Sequence, residues 1–365
     1  MRAAVFTELD QPLSIEDVSV VDPGPGEVLV RVTASGVCHS DLSVIHGIIP
    51  GGTQILGHEG TGVIEKVGPD VSGLAVGDRV IGSFVPACGK CWYCLRGESY
   101  SCAETYNVMF VPHYTRSNGE EIGGMTGLGT FAEMMVCSQF SVVKAETDLP
   151  DSVLALIGCG VTTGVGAALN TARVEPGSTV AVIGCGGVGQ AVIQGARIAG
   201  AARIIAIDPV AMKRESALQF GATHTIDPTE VDPVMGVIEL TGGRGADYAF
   251  EVVGRPETIV QARDVTRTGG TVVIVGMPRS DATVTLPAYS LFQDEKALLG
   301  CNFGSAHVRR DFPRIVAMIE RGALDLAPMV TRTIPLEAVN DAFAAMLAGD
   351  VIRSVIVPPA PATTS

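Results

Sequence analysis

Two patterns of apolar and polar positions divide the chain. Over the first eighty residues, short Val- and Ile-rich runs at 13–20, 27–34, 61–67 and 78–81 alternate with turn signals. The signals are Pro23-Gly24-Pro25-Gly26, Gly68-Pro69-Asp70 and Gly77-Asp78. Short runs so punctuated predict a small, irregular β-barrel rather than βαβ units. Residues 103–130 read as loop, with Ser117-Asn118-Gly119 and Gly123-Gly124 as turns. Strand character resumes at 130–143. A helix begins around Asp148-Leu149-Pro150-Asp151, and Cys159 falls on or just after it.

From Val180 the period changes. Apolar runs at 180–183, 203–207, 223–226, 247–253, 271–276 and 297–301 alternate with helical patterns at 190–199, 211–220, 229–240 and 256–266. Six strands with crossover helices predict an α/β, doubly wound parallel sheet. After Gly304 a helix at 312–321, another at about 336–347 and a strand at 353–357 belong to a different unit. Residues 358–365 read as a disordered Pro/Ala/Thr tail.

The first of the six strands runs into Gly184-Cys185-Gly186-Gly187-Val188-Gly189, a G-x-G-x-x-G turn that opens a helix. Gly184 permits the tight turn, Gly186 lets backbone approach a pyrophosphate, and Gly189 lets helix and strand pack closely. A helix N-terminus offers N–H groups and positive dipole to phosphate. Asp208 closes the second strand nineteen residues after Gly189. A carboxylate there accepts from a ribose 2′-hydroxyl and repels a 2′-phosphate, so NAD is expected rather than NADP.

Composition narrows the field. The 365 residues suit two domains or one large α/β unit, and 47% hydrophobic content supports a packed core. A formal charge of −14 argues against nucleic acid or an anionic membrane as partner. Residues 153–172 carry no charge, but four Gly, three Thr and an Asn make them a buried core segment rather than a membrane span. The N-terminus shows no signal-peptide core, and nine Cys then point to thiols or metal ligands in the cytosol.

Cys88, Cys91, Cys94 and Cys102 lie at x2, x2, x7 spacing within fifteen residues. Four thiolates so placed wrap a tetrahedral Zn²⁺ with no open position, a structural site on a lobe at about 86–103. Ferredoxin spacings do not match. Upstream, Cys38 and the pair His58-Glu59 sit on turns of the β-rich part and could supply thiolate, imidazole and carboxylate to one metal. Their separation is not a local spacing. Taken singly, Cys38 reads as a core thiol and His58 as a hydrogen-bonded core histidine.

Together, Gly36-Val37-Cys38-His39-Ser40-Asp41, Gly57-His58-Glu59-Gly60-Thr61-Gly62, the four-Cys lobe, Gly158-Cys159-Gly160 and the 184–189 turn resemble the zinc-dependent medium-chain alcohol dehydrogenases. The resemblance covers nearly the whole chain. It is nearest to bacterial members acting on larger primary or aryl alcohols, nicotinoprotein types included. It implies a GroES-like catalytic domain from residues 1–160 and 303–365, with a Rossmann NAD-binding domain at 161–302.

The resemblance also implies roles. Cys38, His58 and Cys159 ligate a catalytic zinc, with Glu59 behind it as a transient ligand. Asp41 orients His58. Ser40 hydrogen-bonds the zinc-bound alcohol and starts the relay that removes its proton, and the alkoxide so formed gives hydride to NAD. His39 and Arg353 contact the pyrophosphate. Thr163, Val188 and Val275 lie along the cofactor with Gly187, and Asp208 and Lys213 hold the adenosine ribose. Two zinc ions per chain are implied.

Many relatives carry a His five residues after the first Cys ligand, at the outer end of the relay. Here that position is Ser43, so the relay ends at a ribose hydroxyl, at Ser43 and water, or at His46. Phe84 and Ile49 match positions lining the inner pocket and its mouth, and suit an aliphatic or aryl alcohol. The acid near Ile49 and the Arg near Tyr106 found in glutathione-using formaldehyde dehydrogenases are absent. Three functions follow. One is a zinc alcohol dehydrogenase. The second is a thiol-adduct (mycothiol-type) dehydrogenase or a nicotinoprotein. The third is a non-catalytic NAD-binding protein, which the intact ligand set and Ser40 disfavour. The long 103–130 segment goes with homodimers in this family more than with tetramers.

Overall fold

The computed structural model describes residues 1–358, and the expected tail at 359–365 lies outside them. The chain divides into two units. The first comprises Met1–Cys159, His307–Glu320 and residues 326–358; the second comprises Gly160–Ala306 and Arg321–Asp325. The boundaries therefore fall at 159/160 and 306/307, and 321–325 joins the second unit.

The first unit is β-rich. Five strands close a barrel in the order Arg2–Phe6, Ser14–Val20, Pro112–Arg116, Glu121–Gly124, Gln54–Ile55. A seven-stranded sheet runs Val142–Lys144, Arg79–Gly82, Glu59–Val67, Glu27–Gly36, Arg353–Ile356, Val330–Ile334, with Met134–Ser138 also pairing Glu27–Gly36. The distant strand Arg353–Ile356 is antiparallel to Glu27–Gly36, with Val355 opposite Gly36. That pairing brings the end of the chain back into the first unit. One core of the unit gathers Phe6, Leu42, Leu56, Phe131 and Phe343.

The expected loop at 103–130 is corrected. It contains a helix, Thr105–Met109, and a hairpin, Pro112–Arg116 with Glu121–Gly124. Gly119, at φ +86°, makes the hairpin turn. The strands leave no alternating signal because they are short and mostly polar: only His113 and Tyr114 on one and Ile122 and Gly124 on the other are buried. Barrel closure, which no local pattern encodes, sets their strand state. The strand Arg2–Phe6 and the helix His39–Ile45 were likewise not legible in the periodicity.

The second unit is a six-stranded parallel sheet with crossover helices. Across the sheet the strands run His224–Ile226, Arg203–Ile207, Thr179–Ile183, Ala246–Glu251, Thr266–Ile274, Ala297–Gly300. In chain order this is 3-2-1-4-5-6, the dinucleotide-fold order, whose direction reverses between Thr179–Ile183 and Ala246–Glu251. The expected helix at 229–240 starts later, at Pro233, because Asp232 accepts from the Met235 N–H at 2.9 Å and caps it there. In the first unit, the helix expected at 312–321 spans Val308–Glu320 and carries Pro313 inside its first turns.

The charge-free stretch at 153–172 is mostly buried. Among the described residues no single helix is long and apolar enough to cross a membrane, although Asp151–Gly158 and Gly160–Thr171, bent by 59°, pass that test as a pair.

Candidate active site: a buried thiolate and imidazole cluster

The strand Glu27–Gly36 ends where the helix His39–Ile45 begins, with Cys38 as its N-cap. Asp41 sits at the third helical position and reaches back, its Oδ2 accepting from the Cys38 N–H at 3.0 Å. Its Oδ1 accepts from the Gly57 N–H at 3.1 Å and lies 3.0 Å from His58 Nδ1. One fully buried carboxylate thus ties the helix start to the turn that carries His58.

Cys159 follows the short helical turns from Asp151 to Gly158. Cys38, His58, Glu59 and Cys159 then offer ligand atoms that all lie within 4.8 Å of one another, and all four residues are buried. His58 Nε2 is buried with no hydrogen-bond partner, which suits a metal acceptor. Burial pulls the His58 imidazolium down, but the Asp41 charge and hydrogen bond and the neighbouring Cys38 outweigh it and hold it up at about 10. The Cys38 thiol is held well below its ordinary value by hydrogen bonding with Cys159, against burial, with help from His58 and Arg353. A thiolate is the form a metal takes.

Around the cluster, Ser40 Oγ lies 3.9 Å from Cys38 Sγ. The Phe84 ring meets His58 edge-on, with centroids 5.9 Å apart. Glu59 is ion-paired with Arg353, and both are buried.

The four lobe cysteines form a second cluster, also within 4.8 Å of one another. Cys88 and Cys94 sulfurs are 3.9 Å apart, and those of Cys91 and Cys102 are 4.0 Å apart. A zinc tetrahedron with Zn–S bonds of about 2.3 Å sets its sulfurs about 3.8 Å apart, whereas a disulfide needs about 2.05 Å. The lobe therefore fits a four-thiolate metal. Burial raises Cys91, but the Ala103 and Cys94 N–H groups prevail and hold it at about 6.

In the second unit, Gly184 turns at φ +91°, and a Cβ on Gly189 would lie 2.0 Å from the Gly184 carbonyl oxygen. A Cβ on Gly186, the N-cap of the helix Gly187–Ala199, would meet nothing within 4 Å. The side where a pyrophosphate is expected is open. Asp208 Oδ2 accepts from the Cys185 N–H and Oδ1 from the Val210 N–H, both at 2.8 Å.

Residues 24–151 match the alcohol dehydrogenase GroES-like domain, and residues 187–321 match the zinc-binding dehydrogenase family. Over 97% of this chain and 99% of the relative, the sequence is 40% identical to an S-(hydroxymethyl)glutathione dehydrogenase of Synechocystis. The chain belongs to the zinc-dependent medium-chain alcohol dehydrogenases. An NDMA-dependent alcohol dehydrogenase of Amycolatopsis methanolica is also 40% identical, over 98% of each chain. The crystal structure of benzyl alcohol dehydrogenase from Acinetobacter calcoaceticus superposes with a TM-score of 0.91 at 32% identity, covering 98% of this chain and 99% of that one. As an alcohol dehydrogenase of this family, the protein is an oxidoreductase that uses zinc and a nicotinamide cofactor.

Within this alcohol dehydrogenase, the remaining expected residues fall as follows. His39 is exposed, and Ser43 is half-buried with its Oγ donating to the His39 carbonyl at 3.0 Å. His46 Nδ1 lies 2.6 Å from Asp10 Oδ1 at the surface. Ile49 packs on the core that holds Phe6 and Phe343, and Phe84 on a separate core. Thr163 lies on the helix Gly160–Gly166, Val188 on the helix after the glycine turn, and Lys213 on the helix Ala211–Phe220. Val275 follows the strand Thr266–Ile274, its N–H bonded to the Glu251 carbonyl at 2.8 Å. Sequence reasoning missed the pairing of Arg353 with Glu59. They are 294 residues apart, and no local signal joins them.

Proposed function

We propose that this enzyme oxidises primary aliphatic or aryl alcohols to aldehydes, reversibly, with NAD. The observation that carries the proposal is the buried cluster of Cys38, His58 and Cys159 with Glu59 beside it, in contact range of Phe84 and Ser40. Cys38, His58 and Cys159 would hold the catalytic zinc, and Cys88, Cys91, Cys94 and Cys102 a structural one, two per chain. When bound, zinc lowers the pKa of a substrate hydroxyl, and the nicotinamide takes up the hydride.

This chain's own residues do the rest. Asp41 holds Nδ1 of His58, so that Nε2 faces the thiols. Ser40 Oγ accepts the hydroxyl proton and passes it outward. Phe84 gives the substrate an apolar wall. The N–H groups opening the helix Gly187–Ala199 receive pyrophosphate, and the carboxylate of Asp208 receives the ribose, which favours NAD. Arg353 neutralises Glu59. His39 and Lys213 remain proposed contacts of the cofactor phosphates and ribose.

A homodimer is favoured by the edge strand Ala297–Gly300, which carries no charge, and by the exposed Met277, Tyr289 and Phe292 that precede it in the same unit. Nine cysteines with no disulfide among the described residues suit a reducing cytosol.

The test is reduced-nicotinamide formation from NAD with benzyl alcohol, hexanol and ethanol. Turnover of free alcohols supports the reading, and their ranking sizes the pocket. A second reading draws on the relatives named for S-(hydroxymethyl)glutathione and for NDMA. Turnover with formaldehyde only when a thiol such as mycothiol is added would shift the function to thiol adducts. Nicotinamide absorbance already present in the purified protein would mark a nicotinoprotein.

A further inference from the structure

Arg214 stands six residues after Asp208, in the first turn of the helix Ala211–Phe220, and an arginine near that carboxylate is the group that accommodates a 2′-phosphate in dinucleotide folds. Its guanidinium is committed elsewhere. Nη1 donates to the Asp208 carbonyl at 2.7 Å, and Nη2 lies 2.8 Å from Asp227 Oδ2. Asp227 follows the strand His224–Ile226, which pairs in parallel with Arg203–Ile207, so Asp208 and Asp227 leave neighbouring strands at the same end of the sheet. Oδ1 of Asp227 accepts from the Thr229 N–H at 2.9 Å and from its hydroxyl at 2.6 Å. The two oxygens thus divide the work: one shapes the turn and the other holds Arg214. Both partners are mostly shielded, with side chains 18% and 15% exposed.

We infer that Asp227 is a second determinant of dinucleotide choice, a positioning residue that locks Arg214 away from the 2′ position. The inference rests on the NAD reading above. Asp208 repels a 2′-phosphate directly; Asp227 withholds Arg214, which with Lys213 is one of two cations this helix carries beside the ribose carboxylate. Each carboxylate acts on a different half of the discrimination. Removing one leaves the other in place.

The test is calorimetric titration of the purified enzyme with NADH and with NADPH, which reads binding without turnover. Asp227→Asn keeps an Oδ1 acceptor for Thr229 and removes the charge that holds Arg214. Its preference for NADH over NADPH should fall on the order of tenfold, the worth of a charge-assisted hydrogen bond. Adding Arg214→Gln to that variant should restore the preference. In an Asp208→Ser background, Asp227→Asn should raise NADPH affinity further. By itself, Arg214→Gln should leave the preference unchanged, and this arm stands even where Asp227→Asn does not fold. An unchanged preference in Asp227→Asn overturns the inference, and so does a loss that persists without Arg214. A stronger NADH preference in Arg214→Gln overturns it too, because Arg214 would then already serve the phosphate. Wild-type enzyme that binds NADPH as tightly as NADH overturns the NAD reading itself, and is seen before any substitution is made.

Discussion

The Asp41 carboxylate holds the His58 ring at 3.0 Å through Nδ1, and both groups are buried. This contact fixes which ring nitrogen faces Cys38 and Cys159. Asp41→Asn should lower zinc affinity at that cluster on the order of 10–100-fold. The lobe zinc should stay bound. Zinc content after titration with a graded chelator reads both, and equal loss from the two sites would sink the idea.

Ser40 lies beside the ligand set without belonging to it. Ser40→Ala should cut kcat by roughly 10²–10⁴-fold, the usual worth of a positioned proton-transfer group. Zinc content should not change. A variant that keeps most of its rate removes Ser40 from the chemistry.

The lobe sulfurs stand at tetrahedron spacing. Cys94→Ser should reduce bound zinc from two per chain to one and open the lobe to proteolysis near residues 86–103. Metal analysis with peptide mapping checks both. Two zincs retained would place the second ion elsewhere.

A methyl group at Gly189 would collide with the Gly184 carbonyl. Gly189→Ala should therefore spread the glycine turn and weaken NADH binding while both zinc sites fill normally. Unchanged NADH affinity by titration would mean that the turn can relax.

Asp247 joins two strands of the parallel sheet, accepting from the Thr179 N–H at 2.7 Å and from Arg267 Nε at 2.6 Å. Burial pushes its carboxyl up, but the Thr179 N–H and the Arg267 guanidinium prevail and hold it below the ordinary value. A depressed folded-state pKa contributes stability above the unfolded value, about 3.9, and loses it as pH falls through the folded one. Asp247→Asn should lower the urea midpoint at pH near 6, and the gap should narrow below about pH 4 and close as pH falls past the lower folded-state value. A constant gap at all pH values would show that charge is not the cause.

Features that depend on neighbours along the chain were legible in the order of residues. The four lobe cysteines lie within fifteen residues, so their spacing alone brings them within reach of one ion. The glycine turn, its helix and Asp208 form one continuous strand–turn–helix–strand unit, and local sterics at Gly184 and Gly189 follow directly. The alternation after Val180 encoded the parallel sheet for the same reason: each strand and helix carries its own period.

Contacts between distant segments come from the folding of the whole chain. Cys38, His58 and Cys159 come from three separate places, and only the resemblance to a family anticipated that they meet. The polar hairpin Pro112–Arg116 with Glu121–Gly124 is a strand pair because the barrel needs its edges, not because its own pattern demands it. Arg353 reaches Glu59 only after the last strand pairs with Glu27–Gly36. Likewise, Arg214 meets Asp227 only because two strand ends lie side by side in the sheet. Hydrogen-bond register across a sheet is set by chain segments tens or hundreds of residues apart, and one-dimensional periodicity carries no record of it.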